Sequence, residues 1–446
     1  MNHFKKCLAA AVLLSLPILH VHAADAIAPV STLRDRIGGG NLVTHLTGAP
    51  SVQMYAALRG VGARMGRMDS YGWRDLDRKP IPSNFDAAML EAYRNGIRPI
   101  LLFEYEGSYQ TLQPPQPTGS YDDWFAAGQA FARRFRPDGE WALENGIKNW
   151  GAEIYTAINE PDVQATIPHD VYRDALAGLA DGVHSVDAKL RVVPGGFATC
   201  NSHHDTTLRG YGTAIAGLLE DGRLDGIDLH TYYHPQWYPI TRGREFSAQS
   251  CFDRIKAAMG LTRDINFYST EFNIARDGAW FDPQLAAKLF LTAFWDNAGV
   301  VRADGRTSAT VLAFPWNLGD TGRIEGPAYA MAASEAPWSP DPRARVLRMV
   351  LELAGDMTFT ALDRQAGTFT LEGAAGQLRV WQDVKGWTQS WGPVWEVELP
   401  PWATTAELWA WDGKRRDLAV SNGRVVITGL PADETYMLKI PRPVKK

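Results

Sequence analysis

The feature that most constrains this fold is an alternation. From residue 41 to about 355, short apolar β-rich runs take turns with longer amphipathic stretches. The strand-type runs fall at 42–46, 63–68, 98–103, 154–158, 191–194, 226–231, 265–270 and 310–314. Between them lie helical patterns. Residues 84–95 carry Ala, Met and Leu on one stripe and end at Gly96, and residues 283–297 open with Pro283 and stop before Gly299, the usual asymmetry of helix ends. Eight parallel strands, each followed by a helix, predict a closed (β/α)8 TIM barrel. An open doubly wound sheet is the rival, but Gly38-Gly39-Gly40 precedes the first run, where a dinucleotide fingerprint would follow it.

At 446 residues the chain exceeds one ordinary core, so a large domain with a smaller one is expected. Beyond Gly355 the texture changes to short alternating runs at 359–362, 368–371, 378–381, 406–409, 425–427 and 435–438. Turn residues separate them, which predicts an antiparallel β-sandwich over 356–446. No flexible linker intervenes, so the sandwich should pack against the last helix of the barrel domain, 25–355.

Residues 1–24 read as a signal peptide: Lys5 and Lys6, an apolar stretch through Leu19, then small residues before a cut after Ala23 or Ala24. A periplasmic or secreted protein follows from that reading, with an uncleaved anchor as the alternative. The apolar run is short for a bilayer span. Removing it leaves Cys200 and Cys251, and the sequence leaves open whether they form a bridge or remain two buried thiols. A formal net charge of −5 with mixed signs provides no footprint for nucleic acid.

Two glutamates stand at the ends of strand-type runs: Glu160 in Tyr155-Thr-Ala-Ile-Asn-Glu-Pro-Asp162 and Glu271 in Asn266-Phe-Tyr-Ser-Thr-Glu-Phe-Asn273. Cleaving a glycosidic bond takes one carboxylic acid to protonate the leaving oxygen and one carboxylate at the anomeric carbon. The ends of the fourth and seventh barrel strands would bring two such groups to one mouth. Asp228-Leu-His-Thr-Tyr232 places His230 and Tyr232 on one face of the sixth strand by the period of two.

With Asn159 before Glu160, Arg67 in Gly66-Arg-Met-Asp-Ser70, the His-x-Tyr segment and Trp316 in Phe314-Pro-Trp-Asn317, the chain resembles glycoside hydrolase clan A. The resemblance implies a retaining enzyme with Glu160 as acid/base and Glu271 as nucleophile, Arg67 and Tyr232 keeping Glu271 ionised. It further implies Asn159 on the sugar 2-hydroxyl, Trp316 as a sugar platform, His230 among the substrate-binding residues, and no metal or organic cofactor. Within the clan the layout is similar to family 39, in particular to exported members encoded with biofilm exopolysaccharide systems. That implies a polysaccharide substrate cut internally, export or biosynthesis proteins as partners, and a monomer. Those members are associated with a membrane anchor, from which this cleavable N-terminus departs.

Sixteen tryptophans are an unusual count; large aromatics fill cores, and flat rings also stack on sugars. Tyr71, Trp73, Glu104, Tyr105, Trp237, Trp280 and Phe281 fall in loops after strands two, three, six and seven, where subsites would be built. Their spread on both sides of the barrel mouth predicts an open groove. Trp381, Trp387, Trp391, Trp395, Trp402, Trp409 and Trp411 are expected in the sandwich core or its interface, with a carbohydrate-binding face as the alternative. His203-His204-Asp205 is no metal site by itself, because adjacent side chains seldom converge on one ion. Other readings are an exo-acting xylosidase- or iduronidase-like enzyme and a silent polysaccharide-binding export factor.

Overall fold

The computed structural model describes residues 31–43, 49–70, 83–103, 120–164, 167–200, 205–233, 247–274, 282–316, 331, 341–364, 367–382, 394–431 and 434–443. The stretch 1–24, read from sequence as a signal peptide, lies outside them.

Among the described residues nine strands build the barrel wall: β1 Gly38–Val43, β2 Met65–Ser70, β3 Arg98–Phe103, β4 Ile154–Ala157, β5 Arg191–Pro194, β6 Gly226–Asp228, β7 Thr231–Tyr233, β8 Asn266–Ile274 and β9 Thr310–Pro315. β1 to β5 pair in sequence order, and β6, β7 and β9 all pair with β8, every pair parallel. Single bridges close the two seams, Phe197 to Leu229 and Ile37 to Ala313. The sixth strand position is thus shared by β6 and β7. The fold is a (β/α)8 barrel.

The expected strand ranges need three corrections. The glycine run belongs to β1 rather than preceding it. A Cβ on Gly38 would stand 2.6 Å from the Phe314 ring and 2.7 Å from the Met65 carbonyl, so only glycine lets β1 close this tightly on its neighbours. The sixth run is interrupted at Leu229 and His230. β8 continues to Ile274, so Glu271 lies inside the strand and not at its end.

Helices cover the outside. Ser83–Arg94 and Pro283–Ala298 match the amphipathic stretches, and the latter starts on an Asp282 cap with Pro283 in its first turn. Ile100, Ile154, Val193, Tyr268, Val311, Leu312 and Phe314 form an apolar plug within the barrel. Side chains there make a packed floor.

After the helix Pro342–Ala354 the chain enters an antiparallel β-sandwich. Its strands are β10 Thr358–Asp363, β11 Thr368–Gly373, β12 Gly376–Trp381, β13 Val394–Glu398, β14 Ala406–Trp409, β15 Arg415–Leu418, β16 Arg424–Thr428 and β17 Tyr436–Pro441. One sheet runs β10-β11-β12-β17-β14-β15, and β13 pairs with β16. The sandwich packs against that last helix as expected, and its buried polar contacts extend to Pro283–Ala298, one helix earlier. Arg364 Nη2 meets Asp296 Oδ1 at 2.7 Å, Thr435 Oγ1 meets Thr292 Oγ1 at 2.8 Å, and Gln382 Nε2 donates to the Thr292 carbonyl at 2.9 Å. The final helix contributes too, its Leu353 carbonyl accepting from Lys439. Trp381 and Trp395 make an edge contact in the sandwich core, where Trp402 also packs; Trp409 and Trp411 lie against the main core. Trp387 and Trp391 lie outside the described residues.

Cys200 and Cys251 are unbridged, buried thiols. Both face Arg254, whose Nη2 is 3.7 and 3.9 Å from the two sulfurs. Among the described residues no helix is long and apolar enough to cross a membrane.

Candidate active site

Glu160 is aimed by a strained turn. Ile158 and Glu160 adopt φ of 65° and 45°, a region that a β-branched residue rarely enters, and such strain persists only where the surroundings over-determine it. Here they do: Ile158 N donates to the Phe103 carbonyl and Glu160 N to the Gly196 carbonyl, both at 2.8 Å. Asp162 adds a clamp by accepting from Ala198 N, Thr199 N and Thr199 Oγ1. The turn after β4 is thereby tied to the turn after β5.

Glu271 is aimed by a bulge. Ser269 pairs with Ala313 but Phe272 with Pro315, three residues of β8 against two of β9. An extra residue re-aims the side chains around it, and Thr270 and Glu271, consecutive in a strand, both reach the same cluster. Arg67 Nη1 lies 2.8 Å from Glu271 Oε1, and Tyr232 OH donates to Oε2 at 2.7 Å. Arg67 Nη1 also reaches Asn159 Oδ1 at 3.4 Å and Thr270 Oγ1 at 3.3 Å. Its guanidinium stacks over the Trp316 ring, 4.8 Å from the centroid. Trp316 is only 3% exposed, so within this structure it is a shelf for Arg67.

His230 joins the two carboxylates. Its Nδ1 is 2.8 Å from Glu160 Oε1 and 3.5 Å from Glu271 Oε2, and its Nε2 is 3.1 Å from Thr270 Oγ1. The ring is completely buried. Gly196 makes room for it, since a Cβ there would fall 1.8 Å from Nε2.

The two carboxyl groups are driven apart electrostatically. Burial pushes Glu160 above the usual carboxylate range, and Glu271 pushes it further, against the His230 hydrogen bond. Burial acts on Glu271 in the same sense, but His230, Arg67 and Tyr232 together bring it below that range. Burial would pull His230 down; Glu271, Glu160 and Asp228 outweigh it and push it up to about 9. Environments that separate two like groups are the usual mark of an acid/base assignment. Carboxylate oxygens of Glu160 and Glu271 lie within 4.8 Å of each other and of a His230 nitrogen. These three are the described residues best placed to share a cation, yet the Arg67 guanidinium already neutralises Glu271.

Of the residues expected at the site from sequence, Glu160, Glu271, Asn159, Arg67, His230, Tyr232 and Trp316 are brought together. Trp73, Glu104, Trp237 and Trp280, with Tyr71, Tyr105 and Phe281, lie outside the described residues, as do His203 and His204. Asp205 is taken up by Arg254 Nε at 2.9 Å. Thr270, Asp228 and Gly196 had no assigned role. A signal existed, because strands of a parallel sheet are normally apolar throughout and a carboxylate such as Asp228 in one is an exception that needs partners. A separate cavity of about 600 Å³ lies among Arg64, Arg98, Trp150, Glu153 and Arg191. It opens at the N-terminal ends of the strands, away from the carboxylates.

No family model matches the chain, and no curated protein matches its sequence. Solved structures are similar along nearly the whole length. A glucosidase from Croceicoccus marinus is 12% identical with a TM-score of 0.61, covering 93% of this chain and 97% of that one. A GH39 β-xylosidase from Caulobacter crescentus is 13% identical with a TM-score of 0.59, over 94% and 98%. The GH39 enzyme from Xanthomonas axonopodis pv. citri is 15% identical with a TM-score of 0.58, over 96% and 100%. At such identities the likeness is one of fold, and it takes in barrel and sandwich together.

Proposed function

We propose that this protein is a retaining glycoside hydrolase. The observation that carries the reading is the paired environment of the two glutamates: Glu271 shifted towards its ionised form by His230, Arg67 and Tyr232, and Glu160, close to it, shifted by burial towards its protonated form. The separation within 4.8 Å suits direct attack by a carboxylate, since inverting enzymes keep the groups about 6.5–9.5 Å apart to admit water. Glu160 gives its proton to the glycosidic oxygen as the C1–O bond breaks and a Glu271 oxygen bonds to C1. Water then adds to C1, returns a proton to Glu160 and releases Glu271. Asn159 is assigned to the sugar 2-hydroxyl, and Trp316, Trp73, Glu104, Trp237 and Trp280 to substrate binding.

The same proposal covers location and substrate. Residues 1–24 direct export to the periplasm or beyond, 25–355 form the catalytic domain, and 356–446 the sandwich. The substrate is a secreted polysaccharide cut internally by a monomer, in exopolysaccharide biosynthesis or biofilm matrix turnover alongside export proteins. In layout the chain resembles the biofilm exopolysaccharide glycosidase PslG. The aromatic residues that the sequence places in the loops after strands two, three, six and seven support internal cutting, because remote subsites help distort the reacting ring.

The test is a pair of variants assayed on an aryl glycoside and on exopolysaccharide. Glu271→Gln is expected to lower kcat by about 10⁴-fold or more on both. Glu160→Gln should lose about 10²- to 10⁴-fold on polysaccharide and far less where the leaving group needs no proton. Equal losses on both substrates would overturn the separate roles. Proton NMR of the first product should show the anomeric configuration retained, and early digestion should lower polymer mass rather than release only monosaccharide.

A further inference from the structure

Deeper than the carboxylates lies a chain of hydrogen bonds whose proton positions are decided by donor counting. Asp228 is completely buried at the end of β6. Its Oδ1 accepts from Thr270 N at 2.9 Å, and its Oδ2 is 2.6 Å from Thr270 Oγ1, the length of a bond to a charged acceptor. Burial shifts the Asp228 carboxyl upward, and His230, the two Thr270 bonds and Arg67 act against that shift; in its ionised form the carboxylate only accepts, so the one hydroxyl proton of Thr270 then points at Asp228. Both remaining lone pairs of Oγ1 then receive donors, Arg67 Nη1 at 3.3 Å and His230 Nε2 at 3.1 Å. Nε2 therefore carries a hydrogen. That leaves Nδ1, 2.8 Å from Glu160 Oε1, with a single proton between two acceptor atoms.

We infer that Asp228 and Thr270 are positioning residues that fix the tautomer of His230, so that one proton is shared by His230 Nδ1 and Glu160 and this dyad, not a lone carboxyl, is the acid of the reaction. The inference rests on the glycosidase reading for its chemistry and on hydrogen bonding alone for its tautomer. The charged and titratable groups around the ring come from every facing strand: Glu160 after β4, Asp228 from β6, and Glu271 from β8 with its partners Arg67 and Tyr232. The proton count closes. The dyad gives its one proton to the leaving oxygen, and the attacking water restores it in the second half-reaction. Coupled groups of this kind titrate as a unit.

Asp228→Asn reverses the ordering. The amide carbonyl can keep the Thr270 N–H, its NH2 donates to Oγ1, and the hydroxyl turns to donate to Nε2. Nδ1 then carries the hydrogen and points it permanently at an ionised Glu160. The full chain with 15N-labelled histidine reads this directly, His230 being assigned by its missing signal in His230→Asn. The wild type should show Nε2 protonated, and Asp228→Asn should show Nδ1 protonated. The alkaline limb of kcat/KM should move to lower pH by about one unit. Thr270→Ser should keep the wild-type signature and Thr270→Val should lose it, which tests the ordering even if the Asn variant does not fold. An unprotonated Nε2 in the wild type, or an unchanged tautomer in folded Asp228→Asn, would overturn the inference. The expected tautomers with no hydrolysis of any glycan would instead tell against the glycosidase reading.

Discussion

Glu160 and Glu271 carry the same functional group, and their difference lies wholly in their neighbours. Tyr232 is the simplest neighbour to remove. Its hydroxyl stabilises the ionised form of Glu271, so Tyr232→Phe should raise the pKa of that carboxyl. On the proposed mechanism attack needs Glu271 ionised, so the acid limb of the pH–rate profile should move to higher pH. Loss of a hydrogen bond to a charged group is worth about 1.5–3 kcal/mol, which corresponds to a fall in kcat/KM of roughly tenfold or more. An acid limb that stays in place would remove Tyr232 from this role. At this scale the sequence was informative where spacing alone decides direction: the period of two put His230 and Tyr232 on one face, and both reach the carboxylates. It was silent on Thr270, because the bulge that brings consecutive residues to one cluster is a property of the β8–β9 pairing.

Among the elements, the helix Pro283–Ala298 does most to connect site and sandwich. Buried Asp296 accepts from Tyr233 OH at 2.6 Å, Ala248 N at 2.7 Å and Arg364 Nη2 at 2.7 Å. One carboxylate thus joins the strand that carries Tyr232, a neighbouring helix and the C-terminal domain. Arg364 and Asp296 are both nearly inaccessible, with 8% and 5% of their side-chain surface exposed. Removing one partner of a buried pair leaves an uncompensated charge. Arg364→Ala should therefore destabilise the protein by about 3–5 kcal/mol in urea unfolding, and a variant as stable as the wild type would contradict the burial. The helix itself was readable from its proline start and its glycine stop. Asp296 was not, because an acidic residue in a helical stretch reads as solvated until its partners are known.

Across the whole molecule, barrel and sandwich share apolar packing. Phe369, Leu371, Leu378, Val380 and Met437 of the sandwich belong to the same continuous core as Phe290, Phe294 and Trp295, with Trp295 and Phe369 stacked at 6.2 Å. A chain ending at Gly355 would expose that surface and leave Asp296 without Arg364. It should fail to give a soluble product with a cooperative melt followed by circular dichroism; a cooperatively folding barrel would show the two domains to be separable. The sequence by itself determined the class of this fold and the two strands, β4 and β8, that bring the glutamates to the site, because hydrophobic periodicity and turn residues act over a few neighbours. Only the tertiary structure decided how the barrel closes, which buried polar contacts tie the sandwich to Pro283–Ala298, and how the buried bonds around Glu160 and Glu271 are ordered. Those depend on contacts between residues such as Asp228 and Thr270, 42 positions apart, and no local pattern records which distant donor will meet which acceptor.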